Sequence, residues 1–131
     1  MKKITIRSQK RNEAIDITPN IRKYLDEKRV NSGIITVFSP HTTAAITVNE
    51  NTDPNVRYDL INHLNHLVPA ESAFTHVEGN SDAHIKTSLF SPAQTLIVEN
   101  GQIQLGTWQG IYLMEFDGPR TREVWLQFTS G

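Results

Sequence analysis

The stretch Thr95-Leu96-Ile97-Val98-Glu99-Asn100-Gly101-Gln102-Ile103-Gln104-Leu105 reads as strand, turn, strand. A β-prone run leads in and a second β-prone run leads out. Between them, Asn-Gly is the dipeptide that accepts left-handed backbone angles at both corners of a type I′ turn. A two-residue turn can join only antiparallel neighbours, so this part of the chain calls for an antiparallel sheet. Downstream, residues 111–116 and 123–128 are two further β-prone runs, joined by the turn Asp117-Gly118-Pro119-Arg120. Upstream, residues 3–8 and 12–17 alternate in polarity and read as a pair of strands with a turn near Lys10. Residues 34–38 and 44–48 add two short apolar strands.

Helices interrupt this pattern at two clear points. Thr18-Pro19 opens the first: Thr18 can accept from an orphan amide, and Pro19 has no N–H to lose in the first turn. Ile21, Tyr24, Leu25 and Lys28 follow at helical spacing, and Asn31-Ser32-Gly33 ends the run. Asp53-Pro54 repeats the signal, Val56, Leu60, Leu64 and Leu67 share one face, and Pro69 stops it. Residues 70–82 look irregular, and residues 83–89 suit a short helix capped by Ser81 or Asp82. The expected fold is α+β, a single compact domain over residues 1–131, with mostly antiparallel sheets and two main helices packed on one side.

Composition narrows the chemistry. With 131 residues a single core is feasible, and a hydrophobic fraction of 37% leaves room for oligomerisation. The formal net charge of −1 and the diluted basic cluster Lys2, Lys3, Arg7, Lys10, Arg11 argue against nucleic acid and anionic membranes as partners. The absence of cysteine removes thiolate nucleophiles, disulfides and zinc–thiolate sites. No segment is apolar over a bilayer's width and the N-terminus does not resemble a signal peptide, so a cytoplasmic location is expected. Phosphate-loop, dinucleotide and nucleophile-elbow motifs are missing.

Polar groups concentrate instead around histidines. His76-Val77-Glu78-Gly79-Asn80-Ser81-Asp82-Ala83-His84 holds two imidazoles, two carboxylates and an amide, with a glycine that permits a sharp turn. His41 sits in Ser39-Pro40-His41-Thr42-Thr43 between two expected strands, where it can bind a metal, donate to a phosphate or move a proton. His63 and His66 fall on the second helix and read as a boundary residue and a solvated one. Asn49 and Glu50 are polar groups with no evident structural task, hence candidates to support a metal. Trp108 and Gln109, in Gly106-Thr107-Trp108-Gln109-Gly110, could line an anion pocket or pack as a bulge. Arg120 could grip a phosphate bidentately or pair with Asp117 or Glu123.

Taken together, Ser39-Pro40-His41-Thr42-Thr43-Ala44, Asn49-Glu50, Asp53-Pro54, the His76 to His84 block, Leu105-Gly106-Thr107-Trp108-Gln109-Gly110-Ile111 and Glu115-Phe116-Asp117-Gly118-Pro119-Arg120 resemble the YjbQ-type family, named for secondary thiamine-phosphate synthase activity. Phe90-Ser91-Pro92 departs from the family pattern, which is expected to carry a glycine there. The resemblance implies a homotrimer with sites near subunit interfaces, a small phosphorylated substrate and a histidine-centred metal or anion site. It implies His41, Glu78 and His84 as catalytic groups. Thr42, Thr43, Asn80, Trp108, Gln109 and Arg120 would hold the substrate's anion. His41, His76 and His84 would hold a divalent metal, with Glu78, Asn80 and Asp82 beside them. Three imidazoles suit Zn²⁺ or a similar ion, whereas a diphosphate substrate could bring Mg²⁺. The alternatives are a metal-dependent phosphoester hydrolase and a non-enzymatic trimer that binds a metal or a phosphometabolite.

Overall fold

Asn100 and Gly101 adopt φ values of 52° and 76°, as a type I′ turn requires, and they join β5 (Ala93–Glu99) to β6 (Gln102–Ile103). A computed structural model describes residues 1–131. The other elements are β1 (Lys2–Arg7), β2 (Glu13–Asp16), α1 (Thr18–Lys28), β3 (Gly33–Phe38), β4 (Ala44–Glu50), α2 (Pro54–Leu67), α3 (Ser81–Leu89), β7 (Gln109–Glu115) and β8 (Thr121–Ser130). They form a five-stranded sheet in the order β1-β8-β3-β5-β6 and a three-stranded sheet in the order β2-β7-β4. Every ladder is antiparallel.

The two sheets share one apolar core. Ile35, Val37, Val124 and Leu126 of the large sheet meet Ala44, Ile46, Ile111 and Leu113 of the small one. Helix α1 adds Ile21 and Leu25 to this core and touches both β6 and β7. The other face of the small sheet presents Tyr112, Met114 and, just past β7, Phe116, and these pack against Leu64 of α2 and Ala83 of α3. The α+β expectation therefore holds. The helix pair on one side is α2 with α3, and α1 belongs to the core between the sheets. No helix is long and apolar enough to cross a membrane.

Several local expectations are corrected. β1 and β2 do not pair with each other: β1 runs beside β8, with Lys2 opposite Leu126, and β2 runs beside β7. Alternation shows that a segment is a strand with one buried face; it does not name the partner. Residues 8–12 carry the chain from the large sheet to the small one, and residues 117–120 carry it back between β7 and β8. These two crossings bind each other: Ser8 N–H donates to Arg120 O at 3.0 Å and Gly118 N–H to Arg11 O at 3.1 Å. A β-carbon on Gly118 would lie 2.2 Å from the Lys10 carbonyl oxygen, so only glycine permits this approach.

The Thr18 hydroxyl does not cap α1; it accepts from Ile111 N–H at 2.8 Å, while Asp16 accepts from Thr18 N–H. Asp53 does cap α2, accepting from Asn55 N–H at 2.9 Å. Leu67 is exposed, and of the expected stripe on α2 only Leu64 is fully buried. Asn80, rather than Ser81 or Asp82, stands at the α3 N-cap. Asp82 is fully buried, bonded to Lys86 at 3.2 Å and Arg11 at 2.8 Å, and Lys86 also donates to Asn12 and Asn65. This knot fastens the first crossing segment, α2 and α3 together, which fixes the helix that carries His84.

Candidate functional site

Where β3 ends, Ser39 anchors the following loop. Its hydroxyl donates to Ala44 O at 2.8 Å and its N–H to Pro92 O at 2.7 Å. His41 emerges from this loop beside β8, and Glu123 N–H donates to its Nε2 at 2.9 Å. A main-chain N–H can only donate, so Nε2 of the neutral ring is an acceptor and the ring proton sits on Nδ1. The Glu123 carbonyl also lies 3.2 Å from Nε2 and accepts a hydrogen bond only when that nitrogen carries a proton. Burial, and then the nearby Arg122 guanidinium, hold the His41 pKa below its ordinary 6.5.

Beneath His41 lies a buried ion pair between Arg122 of β8 and Glu115 of β7. Glu115 is fully buried, and its carboxylate takes four donors: Ser8 Oγ at 2.8 Å, Arg122 Nε at 2.9 Å, Asp117 N–H at 3.0 Å, and Arg122 Nη2. Burial works to raise its pKa. The bonds from Arg122, Asp117 N–H and Ser8 together outweigh burial and hold the pKa below the usual 4.5. Arg122 Nη2 also donates to Thr43 Oγ1 at 2.8 Å and to Thr43 O at 3.2 Å. All of these bonds run through Nε and Nη2, and Nη1 makes no hydrogen bond within the chain.

These groups form one wall of an open cleft of about 420 Å³. Pro40, His41, Thr42, Thr43, Glu78, Asn80, His84, Asp117, Arg120 and Arg122 line it, and none of the ten is hydrophobic. Asp117 accepts from Asn80 Nδ2 at 2.9 Å and from Arg120 at 3.1 Å. Asn80 Oδ1 is buried without a partner. Of the expected site residues, the fold therefore brings His41, Thr42, Thr43, Glu78, Asn80, His84 and Arg120 to a single cleft.

The chain belongs to the YjbQ-like UPF0047 family. Its family model, described as UPF0047 protein YjbQ-like, matches residues 2–131. A UPF0047 protein of Methanocaldococcus jannaschii is 54% identical over 125 residues, covering 95% of this chain and 91% of that one. The UPF0047 protein YugU of Bacillus subtilis is 46% identical over 128 residues, covering 97% of both chains. A crystal structure of a YjbQ/UPF0047 family protein from Clostridium acetobutylicum superposes with a TM-score of 0.96 at 46% identity, covering 98% of this chain and all of that one. A conserved hypothetical protein from Thermus thermophilus gives a TM-score of 0.92 at 36% identity, with 98% and 100% coverage.

In this member of the family the remaining expected residues lie elsewhere. His76 is on the far side of His84: their rings are 5.5 Å apart and edge to face, and they share a second, more apolar groove with Phe74 and Ile85. His76 Nε2 is 3.9 Å from the Glu78 carboxylate. No three His, Asp or Glu side chains gather closely enough to hold a metal ion. Within the single chain, therefore, His41, His76 and His84 do not converge on one point. Asp82 points into the buried knot and not toward the histidines.

Within the chain, Trp108 and Gln109 stand at the end of the small sheet away from the cleft. Gln109 lies opposite Glu50 and Glu115 opposite Ala44, so the ladder separates them by about 20 Å. Gln109 accepts from Gly106 N–H, and Trp108 is exposed. Glu50 accepts from Thr52 N–H, and its carbonyl accepts from Tyr112, so it has a structural task at that distant end.

Arg122 and Glu115 are not among the residues expected from sequence. A signal was present: in β8, Arg122 has the same inward phase as Val124 and Leu126, and in β7, Glu115 follows Ile111 and Leu113. Two opposite charges on the apolar phase of two strands call for each other.

Proposed function

We propose that the polar cleft holds the phosphoryl end of a small organic phosphate. We further propose that the chain joins a pyrimidine methyl diphosphate to a thiazole phosphate, as in the secondary thiamine-phosphate synthases its motifs resemble. One observation carries this reading: none of the ten residues lining the cleft is hydrophobic, and two unused N–H donors, on His41 and Arg122, border it. In the reaction the thiazole ring nitrogen attacks the methylene carbon. The carbon–oxygen bond to diphosphate breaks, and its electron pair leaves with pyrophosphate. No proton need move, so the demand on the protein is to stabilise charge on the leaving group. Fixed donors meet that demand better than a paired acid and base.

On this reading His41 and Arg122 hold the leaving diphosphate, and Thr42 and Arg120 close over its outer oxygens. His84 stands at the junction with the more apolar groove, where the organic part lies. The histidines serve the anion and not zinc. Mg²⁺ would enter with a diphosphate substrate, and Glu78 is the cleft carboxylate free to meet it. Copies of the chain associate, as a homotrimer, through the outer face of the large sheet. The observation behind this is apolar: Ile34 opposite Ile97 and Phe38 opposite Trp125, with Ile34 and Ile97 exposed.

A second reading, binding without turnover, is favoured by charge balance. Glu115 neutralises Arg122 and Asp117 neutralises Arg120. The deciding assay follows pyrophosphate release and coupled-product formation from the two substrates, in wild type and His84→Ala. Product from wild type and a loss of at least about a hundredfold in the variant support the synthase. Phosphate binding without product supports the second reading. Hydrolysis of a simple phosphoester, with Glu78 as base, would replace both with the hydrolase.

A further inference from the structure

The two donors on the His41 wall are unused but not free to turn away. Arg122 is 3% exposed, and four hydrogen bonds fix its guanidinium plane. Three run through Nη2, to Glu115 and to two oxygens of Thr43, and one runs through Nε to Glu115. What remains is Nη1, which has two hydrogens and no protein partner, on a residue that lines the cleft. His41 is fixed in a comparable way. Glu123 N–H holds Nε2, which leaves Nδ1–H as the one ring donor, again without a protein partner and with the ring lining the cleft. The loop after β3 brings the His41 ring onto the main chain of Glu123, the residue after Arg122 in β8, and both side chains line the same cleft. Two oriented N–H groups, one neutral and one cationic, thus lie side by side on one wall.

We propose that Arg122 Nη1 and His41 Nδ1–H form a clamp that binds two oxygens of one phosphoryl group directly, with no metal between protein and phosphate. This deepens the reading of the cleft as a phosphoryl site and rests on it. The guanidinium supplies charge-assisted donation, and the imidazole supplies a second oriented N–H donor beside it. Glu115 is the positioning residue: its carboxylate consumes Nε and Nη2, which aims Nη1 outward. Because Glu115 also cancels the charge of Arg122, the clamp recognises phosphate by oriented donors more than by net field.

The test uses chelator-treated protein with ¹⁵N-labelled histidine, inorganic phosphate as the probe, and the variants Arg122→Lys and His41→Gln. Lysine keeps a cation against Glu115 but has no second arm for the cleft. Glutamine keeps an acceptor for Glu123 N–H but loses the ring donor. The expected results are an unprotonated Nε2 and a protonated Nδ1 on His41 in the ligand-free protein, and a phosphate-dependent shift of that Nδ1. The dissociation constant for phosphate rises about tenfold in Arg122→Lys and about fivefold in His41→Gln. Glu78→Gln, which removes a like charge, tightens binding about threefold. A protonated Nε2, equal phosphate affinity in wild type and Arg122→Lys, or binding that returns only with added metal would each overturn the clamp. Those outcomes leave the cleft as a phosphoryl site. Clamp behaviour together with no coupled product would instead overturn the synthase reading alone. Failure of wild type to bind phosphate at all would overturn both.

Discussion

Arg122→Ala removes one side of the buried pair and leaves Glu115, with no solvent exposure, holding half of its donors. Ser8 Oγ at 2.8 Å and Asp117 N–H at 3.0 Å remain; both Arg122 bonds are lost, and Thr43 loses its donor as well. Hydrogen bonds to a charged group contribute about 1.5–3 kcal/mol each, so two give roughly 3–6 kcal/mol. Breaking one partner of a buried ion pair costs about 3–5 kcal/mol by an independent route. A loss near 4 kcal/mol is a large share of the roughly 5–15 kcal/mol that holds a domain folded. Urea unfolding followed by Trp125 fluorescence measures it, since Trp125 lies three residues along β8 and is half-buried against Phe38. With a slope of about 2 kcal/mol/M, the midpoint falls by about 2 M. Replacing both partners, Arg122→Met with Glu115→Leu, removes the stranded charge and recovers at least about 1 kcal/mol of the loss. A single variant whose midpoint moves by less than about 0.5 M, or a double variant less stable than Arg122→Ala, would refute the reasoning.

Gly118→Ala pushes a methyl against the Lys10 carbonyl and the Ser8 hydroxyl, so the two crossing segments must part; thermal unfolding shows a loss of about 1–3 kcal/mol. The His41 pKa is lowered on folding, so the stability it contributes is present above its unfolded value of about 6.5 and is lost as pH falls toward the folded value. Glu115 is also lowered, and its share is present above about 4.5 and lost as pH falls through its folded value. Urea midpoints measured from pH 8 to pH 3 therefore decline in two stages, and His41→Gln flattens the first stage while keeping the second. Ile97→Lys places a charge in the outer apolar row of the large sheet; if copies associate through that face as proposed, sedimentation velocity gives a trimer for wild type and single chains for the variant, and wild type running as a single chain would refute the proposed assembly.

Much of the fold was legible because its elements carry local signals. Asn100-Gly101 names its own turn, Asp53-Pro54 names a helix start, and the runs at β3 and β4 are too apolar to lie in loops. Partner choice was not legible. The β1–β8 and β2–β7 ladders join segments about a hundred residues apart, and nothing in an alternating strand says which distant strand completes it. The cleft was partly legible for the same reason. The loop residues His41, Glu78, Asn80 and His84 announce themselves by polarity, but the distance of Trp108 and Gln109 from the cleft within the chain needed the strand length to be seen. His76 could be separated from His41 only by the path of the 70–80 segment. Arg122 was hidden because a charged residue in a strand reads as solvent-facing until its phase is compared with Val124 and Leu126.

The most direct measurement is a crystal structure of the protein soaked with pyrophosphate near its dissociation constant, with the chelator-treated protein as the parent crystal. Pyrophosphate is expected in the polar cleft, one phosphoryl group within hydrogen-bond distance of Arg122 Nη1 and His41 Nδ1. Pyrophosphate bound instead in the groove formed by Lys2, Lys3 and Lys23, or against His76 with the His41 wall empty, would contradict that placement and the phosphoryl site with it.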